Sequence, residues 1–409
     1  MPAVIVFQAV SSRTSGMRRR IRWAGAHRNR ARGYEYASPS DLAPAVPGRV
    51  SSRMSDPCGT CFAPATRIVS TLERPPLYRS GGVATGVTVS VPATALRADP
   101  FPAHYRLAML LASAQLALVL ATAPWYHRYG LEIAWSTALP VFAGHATLIG
   151  LWLYFRRYAH HPTKHIVLDV IMATGLLVVL TDVVSPAQYL AVALQRPLVD
   201  GWLAQGDAAI GIHVPTLAAW TARHPAVSRL LTASYFSLLP QFFVPILLLG
   251  LRFRDRRRLW EYVFHFHFCL VATLAALALF PAECAFLYYG FESTIDQTRF
   301  ITQFSGLRNG TFHVITFGNL EGLISMPSFH VTGGVMVTWA FRERWGVFLP
   351  LIGLNVALVA ATFMSGAHYF VDVIASLFLF IASVCIYRRW IEPHSVAGTH
   401  ECRDSSLMI

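Results

Sequence analysis

The sequence predicts an all-α polytopic membrane protein with about eight transmembrane helices. Of its 409 residues, 54% are hydrophobic and only 13% are charged, about half the charged share of an ordinary soluble domain. The mean hydropathy is +0.45. Apolar runs of membrane-spanning length recur from Arg106 onward, and each must be helical because a backbone in lipid finds no water to bond. This composition excludes a soluble enzyme.

Eight apolar runs are the predicted spans, and none shows the alternation of a barrel strand. They are Leu107–Trp125, Leu131–Phe155, Ile166–Val184, Leu230–Leu251, Leu259–Phe280, Ser328–Phe341, Val347–Met364 and Tyr369–Tyr387. The sixth run is short for a bilayer, which needs about 20 residues. Its outer end is therefore expected to start below the membrane surface.

The first hundred residues are predicted to be a disordered, Arg-rich tail. They contain 14 arginines against five acidic residues, and without hydrophobic periodicity they cannot offset the entropy of ordering. A transit peptide, a cytosolic basic tail and an upstream start codon remain open as its origin. Because the tail holds most of the net charge of +13, we expect no nucleic-acid partner. The predicted organisation is a tail over 1–100, two N-terminal helices in 101–165, a core over 166–390 and a cytoplasmic tail over 391–409.

Basic residues outside the N-terminal tail set the predicted orientation, because Lys and Arg accumulate in cytoplasmic loops. With the N-terminus inside, 14 of them fall on the cytoplasmic side and six outside. The loops 185–229 and 281–327 and the turn 365–368 are then expected on one extracytoplasmic face. Residues 198–222 are too polar to span and are predicted to be an amphipathic segment on the outer surface.

The first motif that suggests chemistry is Gly-Leu-Ile-Ser-Met-Pro-Ser-Phe-His over residues 322–330. Proline suits a helix start and Ser328 suits the N-cap, which leaves free amides and the positive dipole end as an anion site. His330 falls in the first helical turn, where its imidazole could reach a bound phosphate or its leaving group.

The second motif is Gly-Ala-His-Tyr-Phe-Val-Asp over residues 366–372. His368 and Asp372 are i and i+4, so the carboxylate is expected to hold one imidazole nitrogen by a hydrogen bond of about 2.6–3.2 Å. The other nitrogen would keep a basic lone pair, which is how a histidine nucleophile is prepared. The 38 residues between His330 and His368 are the length of one helical hairpin, which returns both to the same face.

Taken alone, a histidine or an aspartate at a helix end is more often a capping or interfacial residue than a catalytic one. Together, two histidines, one aspartate and a capped helix end converge on one leaflet, and ionisable groups within a membrane are functional candidates.

The two motifs, in this order and at this spacing, resemble the type 2 phosphatidic acid phosphatase superfamily, and within it the inositol phosphorylceramide synthase branch. The resemblance covers roughly residues 166–390. It implies a six-helix core, here preceded by two extra helices, and phosphoryl transfer on a lipid phosphate with no metal and no cofactor. It also implies that His368 attacks phosphorus, that Asp372 orients it and that His330 protonates the leaving oxygen.

Two departures from the family pattern concern the phosphate clamp. The family's first motif supplies Lys and Arg, whereas the only lysine here, Lys164, lies in a predicted cytoplasmic loop. Its third motif has an Arg before the His, and none exists between Arg344 and Arg388. Arg308 is the candidate for the remaining cation, with Ser328 and the helix amides as neutral donors. Arg196 is the weaker choice.

The sequence therefore predicts an integral membrane lipid phosphatase or phosphotransferase, in a bacterial inner membrane, with its site on the periplasmic side. Its expected partners are a lipid phosphate substrate and membrane lipids, and its oligomeric state and acceptor are left open. The alternative is a transporter or a catalytically silent scaffold, which would need polar groups near the bilayer midplane or broken repeated segments.

Overall fold

The computed structural model describes residues 103–161 and 163–392. The predicted tail over 1–100 lies outside the described residues, as does the predicted tail over 391–409 apart from its first two residues. The α-helices of the described part are α1 (Ala103–Arg128), α2 (Leu139–Tyr158), α3 (Lys164–Ala193), α4 (Asp200–Ala209), α5 (Val214–Arg223), α6 (Pro225–Phe236), α7 (Leu238–Gln241), α8 (Phe243–Pro245), α9 (Arg256–Leu279), α10 (Ala285–Tyr289), α11 (Thr298–Asn309), α12 (Phe329–Ala340), α13 (Trp345–Met364) and α14 (Phe370–Ile386).

The all-α prediction is confirmed for the described residues. Their only strands are β1 (Glu132–Ile133) and β2 (Val314–Ile315), which pair in parallel. Six helices in this part are long and apolar enough to cross a membrane, and a bent helix pair makes up to seven. The helix α12 has 12 residues, too few to span alone. The structure thus gives six or seven candidate spans, and the count of eight stays a prediction.

The predicted span Leu230–Leu251 is not one straight helix. Its segments Pro225–Gln241 and Phe243–Arg252 are bent by 46°, and a π-helical stretch follows from Ile246 to Arg252. Pro240 and Pro245 explain the break, since neither has an N–H to donate within the helix. Hydropathy does not predict this bend, because it does not register the backbone N–H groups that the two prolines lack.

The bundle is organised around α9. In its span 61% of residues are buried, against 6% in the span that contains α2. Helix α9 packs on α3, α12 and α14, and the last two carry the histidine motifs at their N-termini. The bend described above packs closely on α12, since a Cβ at Gly333 would lie 2.9 Å from the ring of Phe242.

The segment 198–222 is only partly the amphipathic surface segment that the sequence predicts. It forms two helices, α4 and α5, and Trp202 is 72% exposed on α4, as an amphipathic surface segment requires. The opposite face of α4 is buried, however, and it carries two carboxylates, Asp200 and Asp207. Buried carboxylates on a surface helix need specific donors, and these donors belong to the histidine motif.

Candidate active site

The start of α12 is built as the first motif predicts. Ser328 is the N-cap, is fully buried, and accepts a hydrogen bond from the amide of Val331 at 3.4 Å. The amides of Phe329 and His330 precede the first intrahelical bond and so have no acceptor within the helix. The hydroxyl of Ser328 also lies 3.2 Å from Nε2 of His368. This helix end therefore faces the second motif.

His368 lies in the turn between α13 and α14, and its side chain is 4% exposed. The turn needs glycine two residues earlier, because Gly366 has φ of +88° and a Cβ there would meet Phe291 at 2.5 Å. The Nδ1 of His368 lies 2.7 Å from the carbonyl oxygen of Ser325. A carbonyl only accepts, so Nδ1 carries the proton and Nε2 presents its lone pair toward Ser328.

Asp372 is fully buried, but it does not hold the imidazole by the expected hydrogen bond. Its Oδ2 is 3.6 Å from Nδ1 of His368, beyond hydrogen-bond range, and it accepts from the amide of Tyr369 at 3.0 Å. The carbonyl of Ser325 takes the position that the sequence assigned to the carboxylate. At 3.6 Å, Asp372 acts on the imidazole ring through its charge.

His330 is half-buried and lies beside His368, with ring centroids 6.4 Å apart. The structure thus brings together the two histidines that are 38 residues apart in sequence. The imidazole of His330 also stacks on the phenol ring of Tyr235, with centroids 3.9 Å apart and planes inclined by 17°. No sequence motif indicates this aromatic neighbour, since Tyr235 lies within an apolar run.

Arg308 lies outside the group formed by Ser328, His330 and His368. Its Nη1 donates to the carbonyl of Arg196 at 2.9 Å, so the two arginine candidates are neighbours. The charge of Arg308 acts on Asp200, opposing the rise in the pKa of that carboxyl that burial produces. Arg308 is therefore connected to the site through Asp200 of α4.

Two residues of α4 hold the histidine turn, and the sequence analysis missed both. Asp207 accepts from the amides of Phe370 and Val371 at 3.0 and 2.8 Å, so it caps α14 from another helix. Asp200 accepts from the hydroxyl of Tyr369 at 3.0 Å. Burial raises the pKa of both carboxyls, and these donors oppose the rise. In the sequence, the one feature that indicates this role is the i, i+7 spacing of Asp200 and Asp207, which places both acids on the same face of an amphipathic helix.

Helix α4 can approach α14 this closely because Gly206 has no side chain. A Cβ at this position would lie 2.9 Å from Cγ1 of Val371. The backbone on either side of His368 is thus fixed by side-chain acceptors that come from more than 160 positions away in the sequence.

We expect Asp207→Ala to destabilise the protein by about 1–3 kcal/mol, because two buried amides at the start of α14 lose their acceptor. The midpoint of thermal unfolding in detergent should fall. The matched control is Gln205→Ala, on the exposed face of the same helix, which should leave the midpoint unchanged. Equal midpoints for both variants would contradict the capping role.

The described residues contain no group of three or more His, Cys, Asp or Glu side chains that could hold a metal ion. The polar groups next to His368 are single acceptors and donors. Ser325 lies in the loop before α12, Ser328 and His330 lie at the start of α12, and Asp372 lies in α14. Such an arrangement can deliver a nucleophilic nitrogen, a proton and hydrogen-bond donors to an anion.

Comparison with known proteins agrees with this geometry. The family model described as PAP2 superfamily matches residues 201–386. Comparisons with curated proteins and with solved structures find no significant match. The matched range contains both histidine motifs, Asp207 and Arg308, and the candidate spans are those of an integral membrane protein. Residues 201–386 are thus similar to the PAP2 superfamily, and this similarity suggests a phosphatase-type membrane protein.

Proposed function

We propose that this protein is a membrane lipid phosphatase or phosphotransferase that works through a phosphohistidine at His368, without metal or cofactor. The observation that carries the proposal is the position and hydrogen bonding of the two nitrogens of the His368 ring. Its Nδ1 is held by the carbonyl of Ser325, and its Nε2 faces the capped N-terminus of α12 at Ser328. A nucleophilic nitrogen and an anion-binding helix end converge on one point.

In the first half-reaction, Nε2 of His368 forms a bond to phosphorus while the bond from phosphorus to the ester oxygen breaks. His330 donates a proton to the departing oxygen, which leaves as an alcohol. The charge of Asp372 stabilises the positive charge that develops on the attacking ring. In the second half-reaction, the oxygen of water or an alcohol forms a bond to phosphorus while the bond from phosphorus to Nε2 of His368 breaks, which restores the neutral imidazole. His330 takes up the proton that the attacking hydroxyl loses.

The phosphate oxygens are assigned to the hydroxyl of Ser328, the amides of the first turn of α12 and the guanidinium of Arg308. Arg308 would act at the rim of the site, because its hydrogen bond to Arg196 keeps it near the α4 carboxylates. One cation suits a substrate of low negative charge, which favours transfer of a phospho-headgroup over hydrolysis of a phosphomonoester. This preference is the basis for proposing an inositolphosphotransferase-like activity.

The remaining assignments rest on the sequence. We propose eight spans, with two helices in 101–165 added to a core over 166–390, and a site on the extracytoplasmic face of a bacterial inner membrane. The orientation follows from the distribution of 14 basic residues inside and six outside. The short helix α12 would then enter the bilayer from a start below its surface.

The experiment that tests the function is incubation of purified protein with a panel of lipid phosphates and phospholipids, in the presence of a chelator. Free phosphate and new phospholipid are measured separately. We expect one of them to be formed, and the ratio between them distinguishes hydrolysis from transfer. Absence of both products, from folded protein with the whole panel, would favour a scaffold or transporter.

A further inference from the structure

Tyr235 lies against the histidine that the mechanism uses as an acid. Its ring stacks on His330, with ring centroids 3.9 Å apart and an inclination of 17°. The ring of His368 is 6.4 Å from that of His330. The imidazole of His330 therefore contacts an aromatic face and also lies beside the reacting centre.

The bend between α6 and α8 explains how this contact is fixed. Seven residues after Tyr235, Phe242 packs against Phe329 with ring centroids 5.7 Å apart, and it contacts the position where Gly333 lacks a side chain. The bent span thus touches two consecutive residues of α12: Tyr235, before the break, contacts His330, and Phe242, at the break, contacts Phe329.

The geometry of the stack indicates which protonation state it favours. Two neutral aromatic rings prefer an offset or edge-to-face arrangement over a nearly parallel stack at short distance. A cation over the negative face of a phenol ring is attracted by its quadrupole. A nearly parallel stack therefore suits an imidazolium, the form that a general acid needs before the leaving group departs.

We propose that Tyr235 is a positioning residue that orients His330 and stabilises its protonated form for leaving-group protonation. The inference rests on the proposed function, since it assumes that His330 acts as the acid. It assigns the role to the aromatic ring and not to the hydroxyl. The ring should therefore be replaceable by another six-membered aromatic ring but not by an aliphatic side chain.

The test compares Tyr235→Phe, which keeps the ring, with Tyr235→Leu, which removes it. Phe236→Leu is the matched control, because Phe236 is 61% exposed and contacts the edge of the same Tyr235 ring, with centroids 5.5 Å apart, but does not stack on His330. The measured quantity is the ratio of kcat/KM for release of 4-nitrophenol from 4-nitrophenyl methyl phosphate to kcat/KM for release of hexanol from hexyl methyl phosphate. Both substrates are phosphodiesters, with the low negative charge that the proposed site favours. A nitrophenolate leaves without help, whereas an alkoxide needs the proton. This ratio does not depend on the fraction of protein that is folded.

We expect Tyr235→Leu to raise this ratio by about 10-fold or more, as part of the 10²–10⁴-fold contribution of a general acid is lost. Tyr235→Phe and Phe236→Leu should keep the wild-type ratio. A wild-type ratio in Tyr235→Leu would overturn the inference, as would equal ratios in Tyr235→Leu and Tyr235→Phe. Turnover by His368→Ala would instead show that the proposed function itself is wrong.

A second readout needs no substrate turnover. The rate at which diethyl pyrocarbonate modifies His330, mapped by peptide mass spectrometry, should rise several-fold in Tyr235→Leu because one face of the imidazole is uncovered. It should be unchanged in Tyr235→Phe and Phe236→Leu. Equal rates in all four proteins would show that Tyr235 does not cover His330 and would reject the proposal.

Discussion

Replacing His368 by Ala should lower turnover by at least about 10⁴-fold, because the proposed covalent intermediate forms on its imidazole. The side chain is almost fully buried, so the variant also loses the hydrogen bond to the carbonyl of Ser325. Steady-state rates are compared with those of His224→Ala, an exposed histidine at the junction of α5 and α6. That control should keep wild-type turnover.

A folding defect must be separated from a chemical one in the His368→Ala protein. Binding of a lipid phosphate should persist, because the amides of α12 remain free and Ser328 keeps its N-cap hydrogen bond with the amide of Val331 when the imidazole is removed. Residual turnover within about 10-fold of wild type would mean that another nucleophile, or direct attack by water, carries the reaction.

Asp372→Asn should lower kcat by about 10²–10³-fold with little change in KM. The substitution removes a charge 3.6 Å from Nδ1 of His368, worth a few kcal/mol to the developing positive charge at an effective dielectric constant of about 20. The ring itself should stay in place, because Ser325 holds Nδ1 and the asparagine oxygen can still accept from the amide of Tyr369.

Asp372→Ala is the informative companion to this variant. It removes the same charge and also the acceptor for Tyr369, so it should lose a further 1 kcal/mol or so of stability as well as activity. The two variants are compared by steady-state kinetics and by thermal unfolding. Unchanged kcat in Asp372→Asn would show that the charge of Asp372 has no part in the chemistry.

The sequence predicted the parts of the site that depend on local pattern. A Pro-Ser pair indicates a helix start in most surroundings. His330 and His368 are 38 positions apart, which is the length of one helical hairpin. The cap at Ser328 and the approach of His330 to His368 therefore follow from spacing alone. Membrane helices are predictable for the same reason, since hydropathy over one span decides the outcome.

The parts that the sequence did not predict depend on contacts between distant segments. Asp207 caps a helix that begins 163 residues later, and no local motif encodes such a pair. The partner of Nδ1 in His368 is a backbone carbonyl, which every residue possesses, so sequence cannot single out Ser325. The bend that brings Tyr235 to His330 arises from two prolines within an apolar run, where hydropathy gives no signal.

The most direct measurement is whether His368 carries the phosphoryl group. The enzyme is denatured without acid during turnover of a ³²P-labelled lipid phosphate, and the labelled peptide is identified by peptide mapping at alkaline pH. We predict one acid-labile, alkali-stable label on the peptide that contains His368, present in wild type and in Asp372→Asn and absent from His368→Ala. A label on any other residue, or a label that persists in His368→Ala, would contradict the proposed mechanism.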